Sequence, residues 1–239
     1  MSRLTKIALV AAVLALATFL VLMTNRAELA KLEVTKLPGR AAWQLPDRVV
    51  DALDLTPGDH VADVGAGDGF FVFHLADAVG PAGRVYAVEV EEEKVRELER
   101  RVREKGYENV EVVLGELGDP LLPDGAIDLV LLCNVYHHIE DRHDYFLRLQ
   151  ADLRSNGRVA VVEPRELGGW IGWIEPPGHS TPIEVLDDEM GAVGYRLVES
   201  FDFLPVQSFV IFTAARPGNG ALVRSGHDVS SPRASDPPP

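Results

Sequence analysis

The stretch "HVADVGAGDGFFVFHLADAVG", residues 60–80, decides the fold. A short apolar run through Val64 reads as a buried strand, and residues 69–79 read as an amphipathic helix. Between them stand Gly65, Gly67 and Gly69. A glycine turn from strand to helix lets backbone N–H groups approach a ligand where a Cβ would be in the way.

The same alternation continues outward. "RVYAVEV" (84–90) reads as a strand and "EEKVRELERRVREKG" (92–106) as a helix, with Val95, Leu98 and Val102 on one face and Gly106 at its stop. "VEVVLGE" (110–116) and "AIDLVLLCN" (126–134) are further strands. A helix over 141–153, capped by Asp141, leads to the strand "GRVAVVEP" (157–164). A short helix over 183–193 precedes "YRLVESFDFL" and "QSFVIFTAAR". Little more than Pro205 separates these last two, so they pair as a hairpin. Upstream, "PGRAAWQLPDRVVDAL" (38–53) supplies a covering helix that starts at Pro46 and buries Val49, Val50 and Leu53. Val- and Leu-rich strands separated by helices specify a sheet buried on both faces. The expectation is an α/β, doubly wound, mostly parallel seven-stranded sheet closed by a C-terminal antiparallel hairpin, over residues 43–215.

Ligands of such sheets bind beyond the carboxyl ends of the strands, where the strand order switches. Asp63, the glycines, Glu89, Glu116 and Asn134 all fall at strand ends. At the end of the second strand, Glu89 stands where a carboxylate accepts hydrogen bonds from a ribose diol. Glycines and Glu89 together imply an adenosine-containing ligand, and a nicotinamide dinucleotide remains open at this point. Two residues weigh against a dinucleotide. Phe70 occupies the position of its third glycine, and Asp63 would repel a pyrophosphate but pair with an ammonium group.

Here the sequence resembles the class I S-adenosylmethionine-dependent methyltransferases, over about 43–214, with its nearest look to the small-molecule, quinone-biosynthesis-like branch. The resemblance implies a Rossmann-like methyltransferase fold and S-adenosylmethionine as cofactor. On "DVGAGDG" it implies that Asp63, Gly65, Ala66, Gly67 and Gly69 wrap the methionine portion and ribose. On "AVEV" it makes Glu89 the ribose carboxylate and Val90 an adenine contact. Glu116 stands where many relatives have an Asp near the adenine amino group, and Asn134 is expected to face the methionine end.

Chemistry is sought in "NVYHHI" (134–139). Tyr136, His137 and His138 are the candidate catalytic residues, histidine being a base near neutral pH. No one of them is singled out, because a sulfonium methyl is already activated and in-line positioning supplies much of the rate. No metal is expected: adjacent histidines do not surround one ion easily, and the chain has one cysteine, Cys133. Trp43 and Gln44 are read as lid residues, or Trp43 as helix-entry packing, and Arg40 as a partner for the cofactor carboxylate. "ELGGWIGWIEPPGHSTP" (166–182), with Trp170, Trp173 and Ile174, is read as an aromatic acceptor loop or a membrane-facing patch.

Charge bounds the acceptor. The chain carries −14, while residues 1–40 carry +4 (Arg3, Lys6, Arg26, Lys31, Lys36 and Arg40 against Glu28 and Glu33), leaving −18 for the remainder. So acidic a body is a poor partner for nucleic acid. "IALVAAVLALATFLVLM" (7–23) is an uncharged run of 17 residues, long enough for a minimal membrane anchor and also consistent with an export signal. The expected organisation is an anchor or signal over 1–24, a juxtamembrane linker over 25–42, the domain over 43–215 and a disordered tail over 216–239. Basic residues on both sides of the run leave its orientation open. The cofactor is made in the cytosol and does not cross hydrocarbon unaided, which argues for a domain facing the cytosol. Three functions are weighed: a methyltransferase acting on a small or lipid-like acceptor, a non-catalytic cofactor-binding module, and an NAD-dependent oxidoreductase.

Overall fold

The computed structural model describes residues 39–165 and 180–214. Their strands, in chain order, are β1 (His60–Val64), β2 (Arg84–Glu89), β3 (Val110–Leu114), β4 (Ile127–Cys133), β5 (Leu153–Pro164), β6 (Tyr195–Phe201) and β7 (Gln207–Ala214). The helices are α1 (Arg40–Gln44), α2 (Pro46–Ala52), α3 (Phe70–Val79), α4 (Glu92–Lys105), α5 (Arg142–Asp152) and α6 (Ile183–Ala192), with a 3-10 turn at Tyr136–His138. The sheet runs β3-β2-β1-β4-β5-β7-β6. β7 is antiparallel to both its neighbours, and the pairs among β1–β5 are parallel. The expected seven strands and closing hairpin are therefore present.

The period-2 pattern sorts the core into two layers. Ala62, Val64, Val130 and Leu132 face α5 and α6, where Phe146, Leu149, Leu186 and Met190 complete one layer. Val61, Leu129 and Leu131 face the other side, with Val49 of α2, Leu53 just after it, Val72 and Leu75 of α3, and Leu98 of α4. Strands buried on both faces have no polar alternation, which is why they read as continuous apolar runs.

Three local departures have physical causes. Residues 40–44 form a helical turn of their own, separated from α2 by Leu45 in the left-handed region (φ 46°) ahead of Pro46. Asp141 precedes α5 without a side-chain capping bond. β5 begins at Leu153, and its register against β4 jumps from Ile127–Leu153 to Leu129–Arg158, a bulge that absorbs the polar "RSNG". Residues 7–23, the loop from 166 to 179 and the tail after 214 lie outside the described residues. Among the described residues no helix is long and apolar enough to cross a membrane.

Candidate functional site

Strand order places the switch between β1 and β4, so a crevice is expected over their carboxyl ends. On that edge lie the glycine turn after β1, Glu89 closing β2, Glu116 after β3, residues 134–138 after β4 and Glu163 near the end of β5. β7 runs the other way and starts there, Gln207 pairing with Pro164.

The glycine turn is held by its neighbours. The N–H groups of Gly65 and Ala66 both donate to the Val88 carbonyl, 2.9 Å each. The three glycines have different reasons to lack a side chain. A Cβ on Gly65 would lie 2.3 Å from Val135 Cγ2, and one on Gly69 would lie 2.6 Å from Leu98 Cδ1. Among the described residues, a Cβ on Gly67 would meet nothing nearer than the Gly65 carbonyl at 3.9 Å. Packing therefore accounts for the outer two, while the middle one borders open space.

Glu89 is buried, and its carboxylate is fixed by backbone alone. Oε1 accepts from the Val90 and Glu91 N–H groups (2.8 and 3.3 Å), and Oε2 accepts from Gly67 N–H (3.1 Å). A carboxylate has about four acceptor positions, so capacity remains on Oε2. This aims the acid of the second strand at the open side of the glycine turn, an acceptor that fits the two hydroxyl donors of a ribose diol. Val90 is 42% exposed beside it, and Glu116 is exposed at the end of β3.

Asp63 is buried at the end of β1, and burial pushes its pKa up to about 7, against the opposing pull of Arg40. Arg40 reaches across the turn. Its guanidinium lies 4.0 Å from the Phe70 ring centroid and 3.2 Å from Asp68 Oδ1. Arg101 also bonds Asp68, through the backbone carbonyl. Two cations thus converge on the turn of an acidic chain. Gln44, expected at a lid, is instead fully buried; it accepts from Arg40 Nε and donates to Cys133 Sγ at 3.2 Å. Its amide serves the core because α1 lies over the end of β4. Trp43 beside it is half-buried.

After β4, Asn134 takes a left-handed conformation (φ 58°), and its Oδ1 accepts from Gln207 Nε2 at 2.8 Å. Gln207 is buried, and its Oε1 has no hydrogen-bond partner among the described residues. Tyr136 is fully buried, with its hydroxyl donating to Glu189 of α6 at 2.7 Å; burial raises its pKa. Arg142 holds the same carboxylate through Nε and Nη2 (2.7 and 2.9 Å). Tyr136 thus fastens the 3-10 turn to α6. The ring of His138, an exposed residue, lies 4.0 Å from that of His137. The His137 ring meets Glu163, which is fully buried, at 2.6 Å from Nδ1 to Oε2. Sequence reading overlooked Glu163 and Gln207 as individual site residues. One signal was available: Glu163 closes a Val-rich strand much as Glu89 closes β2. Among the described residues no group of three or more His, Cys, Asp or Glu side chains is arranged to hold a metal ion.

Comparison with known proteins bears on this geometry. A family model described as "Methyltransferase domain" matches residues 55–179, just over half of the chain. The chain is 33% identical over 117 residues to nocamycin O-methyltransferase of Saccharothrix syringae, covering 49% of this chain and 42% of that one. It is 34% identical over 109 residues to arsenite methyltransferase of Halobacterium salinarum, covering 46% and 28%. These matches span less than half the length of either relative. A SAM-dependent methyltransferase from Aquifex aeolicus superposes with a TM-score of 0.70 at 24% identity, covering 80% of this chain and 98% of that one, a likeness of fold.

Proposed function

Because the chain belongs to the methyltransferase-domain family, we propose that it moves the methyl group of S-adenosylmethionine to a small or lipid-like acceptor. The observation that carries the reading is the Glu89 carboxylate, buried, gripped by three backbone N–H groups and aimed at the open face of Gly67. In this reading Asp63, Gly65, Ala66, Gly67 and Gly69 hold the methionine and ribose portions. Glu89 takes the ribose diol, Val90 and Glu116 border the adenine, and Asn134 faces the methionine end. Bound there, the cofactor supplies an electrophilic methyl group on a sulfonium. The chain's part is to orient that methyl toward an acceptor over the ends of β4 and β5 and to keep water out.

The test is calorimetry of the purified chain with S-adenosylmethionine and with NAD, then a mass screen of lipid and metabolite extracts for a gain of one methyl. Binding of S-adenosylmethionine without turnover on any extract supports the non-catalytic module; tight NAD binding without it overturns the reading. Glu89→Ala is expected to weaken S-adenosylmethionine binding by about 1.5–3 kcal/mol, the range for hydrogen bonds to a charged group. Unchanged affinity removes Glu89 from the site.

Asp63 makes a second, pH-dependent expectation. Its pKa of about 7 in the ligand-free chain means that it is largely protonated below neutrality. A cofactor ammonium favours the ionised form, so affinity rises as pH climbs through about 7, and binding at pH 6.5 releases protons. In the ligand-free chain the same shift works against stability: Asp63 stabilises fully below its unfolded value of about 4, and that contribution is lost as pH rises to 7. Calorimetry in two buffers of different ionisation enthalpy reads the released proton. No buffer dependence separates Asp63 from the ammonium.

For the acceptor, the net negative charge disfavours nucleic acid. Arsenite, the substrate in one relative's name, is disfavoured because the enzymes that methylate it use several cysteines. This chain has only Cys133, buried, with its pKa pushed up to about 12. A quinone-type aromatic acceptor is the narrower reading, and rests on the motif resemblance. We place residues 7–23 in a membrane as an uncleaved anchor with the domain on the cytosolic side, on the length of the apolar run and the cytosolic origin of the cofactor. A cytosol-only reporter fused after Arg216 should be active in intact cells, and activity only of an export-dependent reporter reverses that side.

A further inference from the structure

We propose that the Asn134–Gln207 amide pair selects an oxygen acceptor. Gln207 sets the Asn134 amide with its N–H groups toward the crevice, where they hold the oxyanion of an oxygen acid (a phenolate, enolate or carboxylate) and discriminate against an amine. The proposal rests on the S-adenosylmethionine reading above and narrows its acceptor.

Asn134 follows β4 with its backbone in the left-handed region, and its neighbour Val135 closes over Gly65 of the glycine turn. Its backbone N–H donates to the Val162 carbonyl at 2.8 Å, so the chain path there does not depend on its side chain. Asn134 Oδ1 accepts from Gln207 Nε2 at 2.8 Å. The residue is half-buried, and its Nδ2, which carries two donors, makes no hydrogen bond among the described residues. With Oδ1 turned to a buried partner, Nδ2 is left on the open side. Gln207 comes from beyond β5: it stands on β7 and pairs with Pro164 at the end of β5. The amide pair therefore bridges the ends of β4 and β5, on the side away from Glu89 and β2, where an acceptor approaches the methyl group.

Packing does not account for Gln207. It is 1% exposed, its Oε1 has no hydrogen-bond partner among the described residues, and its Nε2 bonds there only to the Asn134 side chain. An unpaired buried amide oxygen carries a desolvation cost that an apolar side chain of the same shape does not. What this amide achieves is to fix the polarity of Asn134. The opposite setting of both amides would have Asn134 Nδ2 donate to Gln207 Oε1. That would leave both buried N–H groups of Gln207 unpaired, and orphan N–H groups are a rarer defect than orphan oxygens.

The acceptor class follows from which atom faces the crevice. A neutral amine has one lone pair, and a donor that holds it blocks the attack. An oxyanion has three, so one takes the Asn134 N–H while another faces the methyl group. In the step, the new O–CH3 bond forms as the S–CH3 bond breaks, with that electron pair staying on sulfur. The acceptor arrives ionised, so no proton moves. The charges of oxyanion and sulfonium cancel, and the products are a methyl ether or ester and S-adenosylhomocysteine.

The full chain in mild detergent is first titrated with S-adenosylmethionine and S-adenosylhomocysteine; a wild type that binds neither refutes the cofactor reading on which the proposal rests. The chain loaded with S-adenosylhomocysteine is then titrated with 4-nitrophenol, at a pH where it is ionised, and with 4-nitroaniline, which has the same shape. The phenolate is expected to bind about ten- to a hundredfold more tightly, the range for a hydrogen bond to a charged group. Asn134→Asp keeps the bond from Gln207 and turns an oxygen to the crevice, so it should erase or reverse that preference. Gln207→Met should lower phenolate affinity about two- to tenfold, the cost of ordering a side chain no longer held in place. Its Tm should stay level or rise, because the unpaired oxygen is gone. A Gln207→Met chain with lowered Tm and an unchanged preference shows a structural role only and overturns the proposal. Equal binding of the two probes by the loaded wild type, or binding of neither, does the same. With S-adenosylmethionine in place, 4-nitroanisole is the expected product, and N-methyl-4-nitroaniline in its stead is a refutation. Side-chain amide exchange of the wild type, read by nitrogen-15 NMR, survives any variant that fails to fold. The Asn134 N–H groups are expected to exchange rapidly with water, and a protected Asn134 amide, bonded to Gln207 Oε1, also overturns the proposal.

Discussion

Gly67→Val should abolish S-adenosylmethionine binding while leaving a folded domain. The backbone at Gly67 is left-handed (φ 55°), and a side chain there would project into open space. Holding valine in that conformation costs about 1–3 kcal/mol, a loss that a domain stable by about 5–15 kcal/mol tolerates. Binding suffers more, because the branched side chain would fill the space assigned to the ribose and methionine. It would also disturb the N–H that donates to Glu89. A fall in affinity of at least about a hundredfold, roughly 2.7 kcal/mol, is expected by calorimetry, with the melting transition lowered but cooperative. Wild-type affinity in this variant would show Gly67 to be only a turn.

Gly65→Ala should do the reverse and strike the fold. Its φ of 73° is also left-handed, and the added Cβ would sit 2.3 Å from Val135 Cγ2. Strain contributes about 1–3 kcal/mol and overpacking about 1–3 kcal/mol more. The combined loss of about 2–6 kcal/mol lowers Tm by roughly 5–20 °C at this chain size. Trimming the obstacle separates the two causes: Gly65→Ala with Val135→Ala should recover the overpacking part and keep the strain. If the double variant is destabilised by the sum of the two single changes, Val135 is not what Gly65 makes room for.

These two glycines also mark the boundary between what was legible in the sequence and what was not. Both stand in one motif with the same spacing, and no local pattern tells them apart. Their roles differ because Val135, 70 residues away, closes over one of them, and that follows from β4 lying beside β1.

By itself the sequence determined the alternation of strands and helices, the closing hairpin, the glycine turn and the acid that ends β2. Each is written in a local signal: period 2 against period 3.6, glycine at a turn, a charged residue ending an apolar run. Tertiary structure alone decided the pairings at the candidate site. His137 meets Glu163 across 26 residues, Asn134 meets Gln207 across 73, and Gln44 meets Cys133 across 89. Local periodicity is silent on such meetings, because they depend on which strands lie side by side. With β5 between β4 and β7, strand order sets Glu163 next to the turn after β4 and returns Gln207 to the same edge. The polar cluster beside the glycine turn is a product of that order.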